Sequence, residues 1–176
     1  RLARLQVLWE LKDKEQAKAV MASLENPVLA EMTPYQLEIL AELHLQNKDY
    51  AQAQQYYSHL VQTITEKTPV ATRTSYYTRL AETQKEQGDD PGALQTLQSA
   101  WQATHEPDLL LNALQMAMDT HQPEQANDLL KQVAQQEQLF EMNGRYWLLR
   151  GQLAIQQKQP EQAREYYQHL LLVENK

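Results

Sequence analysis

Five histidines, nine tyrosines and a few adjacent carboxylates are the residues of this chain that could do chemistry, and their spacing limits what that chemistry can be. His44, His59, His105, His121 and His169 stand too far apart for a local H-x3-H ligand pair, and no H-E-x-x-H motif occurs. The absence of cysteine excludes disulfides and thiolate metal sites within these 176 residues. No G-x-S-x-G elbow, P-loop or dinucleotide glycine pattern is present. Asp89 and Asp90 are adjacent acids in a turn-forming context, where capping and solvation account for them. The sequence therefore reads as non-catalytic, with no cofactor and no metal.

The tyrosine pairs Tyr56–Tyr57, Tyr76–Tyr77 and Tyr166–Tyr167 could form aromatic platforms for a ligand. Adjacent helical side chains diverge by about 100°, so one ring of each pair should turn inward and the other cover a neighbouring groove. The register below predicts Tyr57, Tyr77 and Tyr167 as core and Tyr56, Tyr76 and Tyr166 as half-exposed. His59 and His169 occupy matching places in YYSHL and YYQHL, which points to a shared structural role.

The elements that must position these residues are read from a recurring small residue. Ala17, Ala53, Ala93, Ala126 and Ala163 follow one another at intervals of 36, 40, 33 and 37 residues. Around them lie KEQAKAVMASL, YAQAQQYYSHL, PGALQTLQSAW, PEQANDLLKQV and PEQAREYYQHL. Each alanine is followed four residues on by Met21, Tyr57, Leu97, Leu130 or Tyr167, and three beyond that by Leu24, Leu60, Ala100, Val133 or Leu170. The i, i+4, i+7 spacing predicts helices that each bury one stripe, and the alanine lets a partner helix approach closely. Pro91, Pro123 and Pro160 precede a repeat alanine by two or three residues, and Pro27, Pro34, Pro69 and Pro107 fall between hairpins. Thr33 and Asp90 are expected N-caps, and Asn47 and Gly88 expected stops.

Composition agrees with an all-α chain: four glycines and an abundance of good helix formers leave no credible strand. The 26 glutamines alternate with the apolar stripe and read as solvated helix faces, not as a low-complexity tract. Net charge is −7, with residues 1–88 carrying 10 basic and 11 acidic side chains and residues 89–176 carrying 6 and 12. Nucleic-acid binding is disfavoured by that balance. No apolar run approaches the roughly 20 residues a membrane span needs.

The spacing resembles the tetratricopeptide repeat, a 34-residue helical hairpin with a W-x2-L-G-x2-Y first helix followed by A-x3-F. With Ala163 on the family's alanine, Trp147, Arg150, Gly151 and Ala154 fall on the W, L, G and Y positions. In the second repeat these are Leu37, Leu40, Ala41 and His44, and in the third Tyr77, Leu80, Ala81 and Gln84. The resemblance implies a right-handed superhelical solenoid of about five helix-turn-helix repeats, approximately 1–27, 34–66, 70–105, 107–138 and 142–174, making residues 1–176 a single solenoid fragment. It implies further that first helices line a concave, partner-binding face. Transferring the register places Tyr35, Glu38 and Glu42 there from the second repeat, and Thr78, Arg79 and Glu82 from the third. The fourth supplies Asp108, Leu111, Asn112, Gln115 and Met118, and the fifth Arg145, Leu148, Gln152 and Ile155.

Such a floor, acidic at one end and apolar at the other, would complement a protein or peptide segment with basic and apolar side chains. Glu38 and Glu42 stand where chaperone-binding members of the family clamp a carboxylate with cations, so that subtype is not expected. The leading expectation is a non-catalytic scaffold that docks another protein in a multicomponent complex. The divergent, glutamine-rich, cysteine-free repeats also look similar to periplasmic solenoids of bacterial outer-membrane exopolysaccharide exporters, which favours a periplasmic setting. A regulatory peptide- or ligand-sensing domain of a larger enzyme or transcription factor, and a structural spacer, are the competing expectations. The chain opens inside an apolar-periodic helix and closes on the aliphatic stretch Leu170–Val173. This predicts a fragment of a longer array whose uncapped ends could self-associate.

Overall fold

In the computed structural model, which describes residues 1–24 and 28–176, every regular element is helical among the described residues. The elements are α1 (Leu2–Glu10), α2 (Lys14–Ala22), α3 (Pro34–Gln46), α4 (Tyr50–Gln62), α5 (Val70–Glu86), α6 (Asp90–Thr104), α7 (Pro107–Asp119), α8 (Pro123–Gln135), α9 (Gly144–Gln156) and α10 (Pro160–Glu174). Short 3-10 turns lie at Leu29–Glu31 and Glu137–Leu139. None of the helices is long and apolar enough to cross a membrane. The chain divides into two compact units, Arg1–Thr96 and Leu97–Lys176.

Each repeat alanine marks one turn geometry, used five times. Lys12, Lys48, Gly88, His121 and Lys158, each five residues before its alanine, adopt left-handed backbone with φ of 58°, 60°, 82°, 54° and 59°. The residue after each donates its N–H back across the turn, Asp13 to Leu8, Asp49 to His44, Asp89 to Gln84, Gln122 to Ala117 and Gln159 to Ala154. That 6→1 bond is the Schellman closure, which satisfies carbonyls at a helix end that would otherwise be orphaned. The same five residues then accept, through their carbonyls, the N–H of Ala17, Ala53, Ala93, Ala126 and Ala163. One residue thus ends the first helix and starts the second, so α1 and α2, α3 and α4, α7 and α8, and α9 and α10 leave their turns antiparallel and close. The alanines sit at that approach and are 0–4 % exposed.

Helix starts follow the sequence in most places. Pro34, Pro107, Pro123 and Pro160 occupy first helical turns, where a missing N–H costs nothing. Thr33 caps α3 through a full capping box with Gln36. The expected cap at Asp90 is displaced by one residue: Asp90 is already helical, and the Asp89 carboxylate accepts the Gly92 N–H at 3.0 Å. Pro27 lies outside the described residues.

In the first unit the core runs through Leu5, Leu8, Ala17, Val20, Leu37, Leu40, Ala41, Ala53, Leu60 and Leu80. In the second, α7 buries eight side chains, and Ala126, Leu129, Val133, Phe140 and Tyr146 are nearly or wholly inaccessible. The buried stripe is wider than an i, i+4, i+7 line. Val20 and Leu129, at i+3, are buried while Met21 and Leu130, at i+4, are half-buried. The tyrosines depart from expectation for the same reason. Tyr56 and Tyr57 are both buried, Tyr76 is buried while Tyr77 is half-buried, and Tyr166 and Tyr167 are both half-buried.

Candidate functional site

The first unit carries a recess of about 400 Å³ lined by residues of α1, α3, α4 and α5. From α3, Tyr35, Glu38, Ile39 and Glu42 share one face because they stand three or four residues apart. Trp9 of α1 and Ala71, Thr72, Ser75, Tyr76 and Arg79 of α5 supply the walls, and buried Tyr57 of α4 supplies the floor. A second opening of about 660 Å³ shares Trp9, Tyr35 and Glu42 and continues past Glu10, Lys12, Lys14 and Gln46. The groove therefore passes from an acidic stretch to one that carries two lysines.

The two central carboxylates are engaged very differently. Glu42 accepts from the Tyr57 hydroxyl at 3.1 Å, from Gln46 Nε2 at 3.4 Å, and pairs with Arg79 Nη2 at 3.7 Å. Arg79 also donates to Glu82 at 3.1 Å. Glu38 accepts a hydrogen bond from the Tyr76 hydroxyl, and among the described residues no cation lies within ion-pair distance of it. Burial, reinforced by the partner carboxylates Glu42 and Glu38, raises the Tyr57 and Tyr76 phenols well above the ordinary tyrosine range. Burial alone would lower the Arg79 guanidinium, but Glu42 and Glu82 outweigh it and its pKa stands above the usual value. Three glutamates and one arginine leave this corner of the unit anionic.

Of the residues the sequence nominated, the structure brings Tyr35, Glu38, Glu42 and Arg79 into one recess and sets Glu82 against Arg79. Thr78 is half-buried on α5 outside the recess lining. In the second unit Leu111 and Met118 are buried, at 0 % and 5 % exposure, and Asn112 and Gln115 are half-buried. Gln115 donates to Asp119 at 2.8 Å. Asp108, Arg145, Leu148, Gln152 and Ile155 are exposed. Met118 lines a separate, mainly apolar recess of about 380 Å³ with Ala117, His121, Pro123, Ala126 and Leu153. Among the described residues no three His, Asp or Glu side chains converge to hold a metal.

Trp9, Ser75, Tyr76 and the hydroxyl of Tyr57 are site residues that the sequence reading did not select. Ser75 was within reach, since it lies 18 residues before Ala93 as Tyr35 lies 18 before Ala53. Tyr57 was hidden by being a core residue as well, with its ring in the interior and its hydroxyl at the recess.

Helical hairpins joined by one repeated turn are also what a sequence-family model finds in this chain. The tetratricopeptide repeat model matches residues 1–175. The chain belongs to the tetratricopeptide repeat family. Such repeats generally mediate protein–protein interaction. Among solved structures, the tetratricopeptide chain is similar to BtubC (BKLC) from P. vanneervenii, with 18 % identity, a TM-score of 0.59, and coverage of 98 % of this chain and 73 % of that one. That likeness supports the fold. No curated protein matches the sequence.

Proposed function

We propose that this tetratricopeptide chain is a non-catalytic docking module that holds a segment of a partner protein along the groove of its first unit. The observation that carries this reading is the recess to which α1, α3 and α5, first helices of successive hairpins, all contribute side chains. A surface built from three hairpins offers a long, preformed footprint, and its aromatic and carboxylate lining suits apolar and basic side chains. Leu148 and Ile155, exposed on α9, offer the second unit's contribution as an apolar surface for the same class of partner.

The setting we favour is a multicomponent complex of the bacterial envelope, in the manner of periplasmic repeats in exopolysaccharide export. Its support is the divergent, glutamine-rich and cysteine-free character of the sequence.

The test is capture by the immobilised chain beside a Glu38→Lys, Glu42→Lys double variant of unchanged circular dichroism. A partner retained by the parent and lost by the variant supports docking in the groove. Equal capture by both overturns the groove as the interface, and no capture by either favours a spacer.

A further inference from the structure

Resting on that docking reading, we infer that the recess between α1, α3 and α5 takes an arginine side chain from an extended segment of the partner protein, with Glu38 as the receiving carboxylate. Glu42 is already occupied by Tyr57, Gln46 and Arg79. Glu38 is half-buried and neutralised by no cation among the described residues; Tyr76 holds it in place through one oxygen. A carboxylate removed from bulk water without a counter-charge gains more from an incoming cation than a fully solvated one does.

The walls select the kind of cation. Trp9 and Tyr35 line the recess together with Glu38, and a guanidinium is the cation that stacks on aromatic faces while donating in a plane to carboxylate oxygens. Thr72 and Ser75 of α5 add hydroxyls to the same lining, able to accept the remaining guanidinium N–H groups. Arg79 shows the same chemistry within the chain, its guanidinium bridging Glu42 and Glu82. At about 400 Å³ the recess has room for the side chain together with part of a neighbouring residue, which favours a peptide over a free small cation. Lys12 and Lys14 along the continuing groove would receive an acidic residue farther along the same segment.

The experiment is an amide-resolved NMR titration of the whole chain with three blocked pentapeptides, Leu-Ala-X-Ala-Leu, in which X is arginine, lysine or the neutral isostere citrulline. The arginine peptide should shift the Trp9 indole and the amides around Glu38 and Tyr76, with an affinity at least tenfold above that of the citrulline peptide. Glu38→Gln should abolish that difference while leaving the citrulline peptide unchanged, and Glu66→Gln, exposed between α4 and α5 and outside the recess, should change it less than twofold. Equal binding of all three peptides in the recess would overturn the arginine assignment and leave groove docking standing. Lysine matching arginine would overturn the guanidinium selectivity. Spermine binding more tightly than any peptide would overturn the protein segment as occupant. Absence of recess shifts with every probe would overturn the arginine site, and docking would then be judged by the capture experiment alone.

Discussion

Two second helices, α4 and α10, carry nearly the same words, QAQQYYSHL and QAREYYQHL, yet their tyrosines do different things. In α4 both rings are buried, Tyr56 stacks on His44 with centroids 5.4 Å apart, and Tyr57 reaches up to Glu42. In α10 both rings are half-buried. Tyr166 accepts from Arg150 Nη2 at 2.6 Å with the guanidinium over its ring, and His169 stacks on Trp147 at 4.4 Å. The first helices account for the difference. Ala41 and Gly151 both stand 12 residues before their repeat alanine. A Cβ on Gly151 would meet the Tyr167 ring at 2.6 Å, so the ring position allowed in the fifth hairpin is closed in the second, where Ala41 carries that carbon. Tyr57 instead donates to Glu42 and lines a recess. A repeated helix therefore contributes a scaffold, and its partner helix decides what the scaffold's polar tips do.

The strongest way to break this comparison is to overpack the alanine the two helices share. Ala53 and Ala163 are 0 % and 4 % exposed, but α4 packs against both α3 and α5 whereas α10 packs against α9. Ala53→Leu should cost about 3 kcal/mol and Ala163→Leu about 1 kcal/mol, because α10 can shift outward to relieve the clash. Urea unfolding midpoints would check this. Equal losses would mean that the flanking helix is irrelevant to how tightly the hairpin is held.

Alkaline pH should separate the same regions by their phenols. Burial, opposed by Arg150 and aided by Glu137, pushes Tyr146 up to about 12, and Tyr57 and Tyr76 stand higher than the ordinary value as well. The folded state holds these protons more tightly than the unfolded chain does. Their stabilising contribution is complete below pH of about 10 and is lost as pH rises through the folded values, across about 10 to 12 for Tyr146. Stability should therefore fall steeply above pH of about 10, and a Tyr57→Phe, Tyr76→Phe variant should fall less steeply. Tyrosinate absorbance followed alongside circular dichroism would show whether Tyr146 ionises before the two recess tyrosines.

Removing single hydroxyls is gentler and sharpens the contrast. Tyr57→Phe deletes the 3.1 Å bond to Glu42 and should cost about 1 kcal/mol, since one partner of a half-buried carboxylate is lost. Tyr167→Phe, on the aligned residue, should change stability by less than about 0.5 kcal/mol. Thermal unfolding of the pair would decide it. A matching loss at Tyr167 would show that its hydroxyl has a role equal to that of Tyr57.

Much of this was legible in the sequence, in proportion to how local its cause is. Repeat alanines, helix-starting prolines and the Thr33 N-cap follow from local causes within one or two turns of helix, and the helices they mark begin at or within a few residues of those signals. Glu38, Glu42 and Arg79 could be brought together by register, because the family spacing fixes which residues of successive first helices share a face. The separation of Tyr76 from Tyr77, and of Leu129 from Leu130, was not legible. A rotation of a few tens of degrees about the helix axis decides which neighbour is buried, and that rotation is set by the packed partner. Trp9 was hidden for a similar reason: in an apolar helix it reads as core, and only the placement of α3 beside α1 turns it into a recess wall.

The five left-handed turn residues offer the finest test, because here the two regions should behave alike. Lys48 and Lys158 have φ of 60° and 59°, and each precedes a 6→1 closure of the same form. A Cβ-bearing residue held there is strained relative to glycine, while glycine costs more entropy on folding, so the two effects partly cancel. Lys48→Gly and Lys158→Gly should each stabilise by about 0.5 kcal/mol, and by the same amount, whatever their surroundings. Gly88 supplies the converse. Its φ is 82° and nothing lies within 4 Å of a Cβ built on it, so Gly88→Ala would add backbone strain without a clash and should cost about 1 kcal/mol. Denaturation midpoints for the three variants would expose any difference between the turns. Unequal gains at Lys48 and Lys158 would mean that the turns are shaped by the helices they join, and the repeat would then be specified by packing and not by its own backbone.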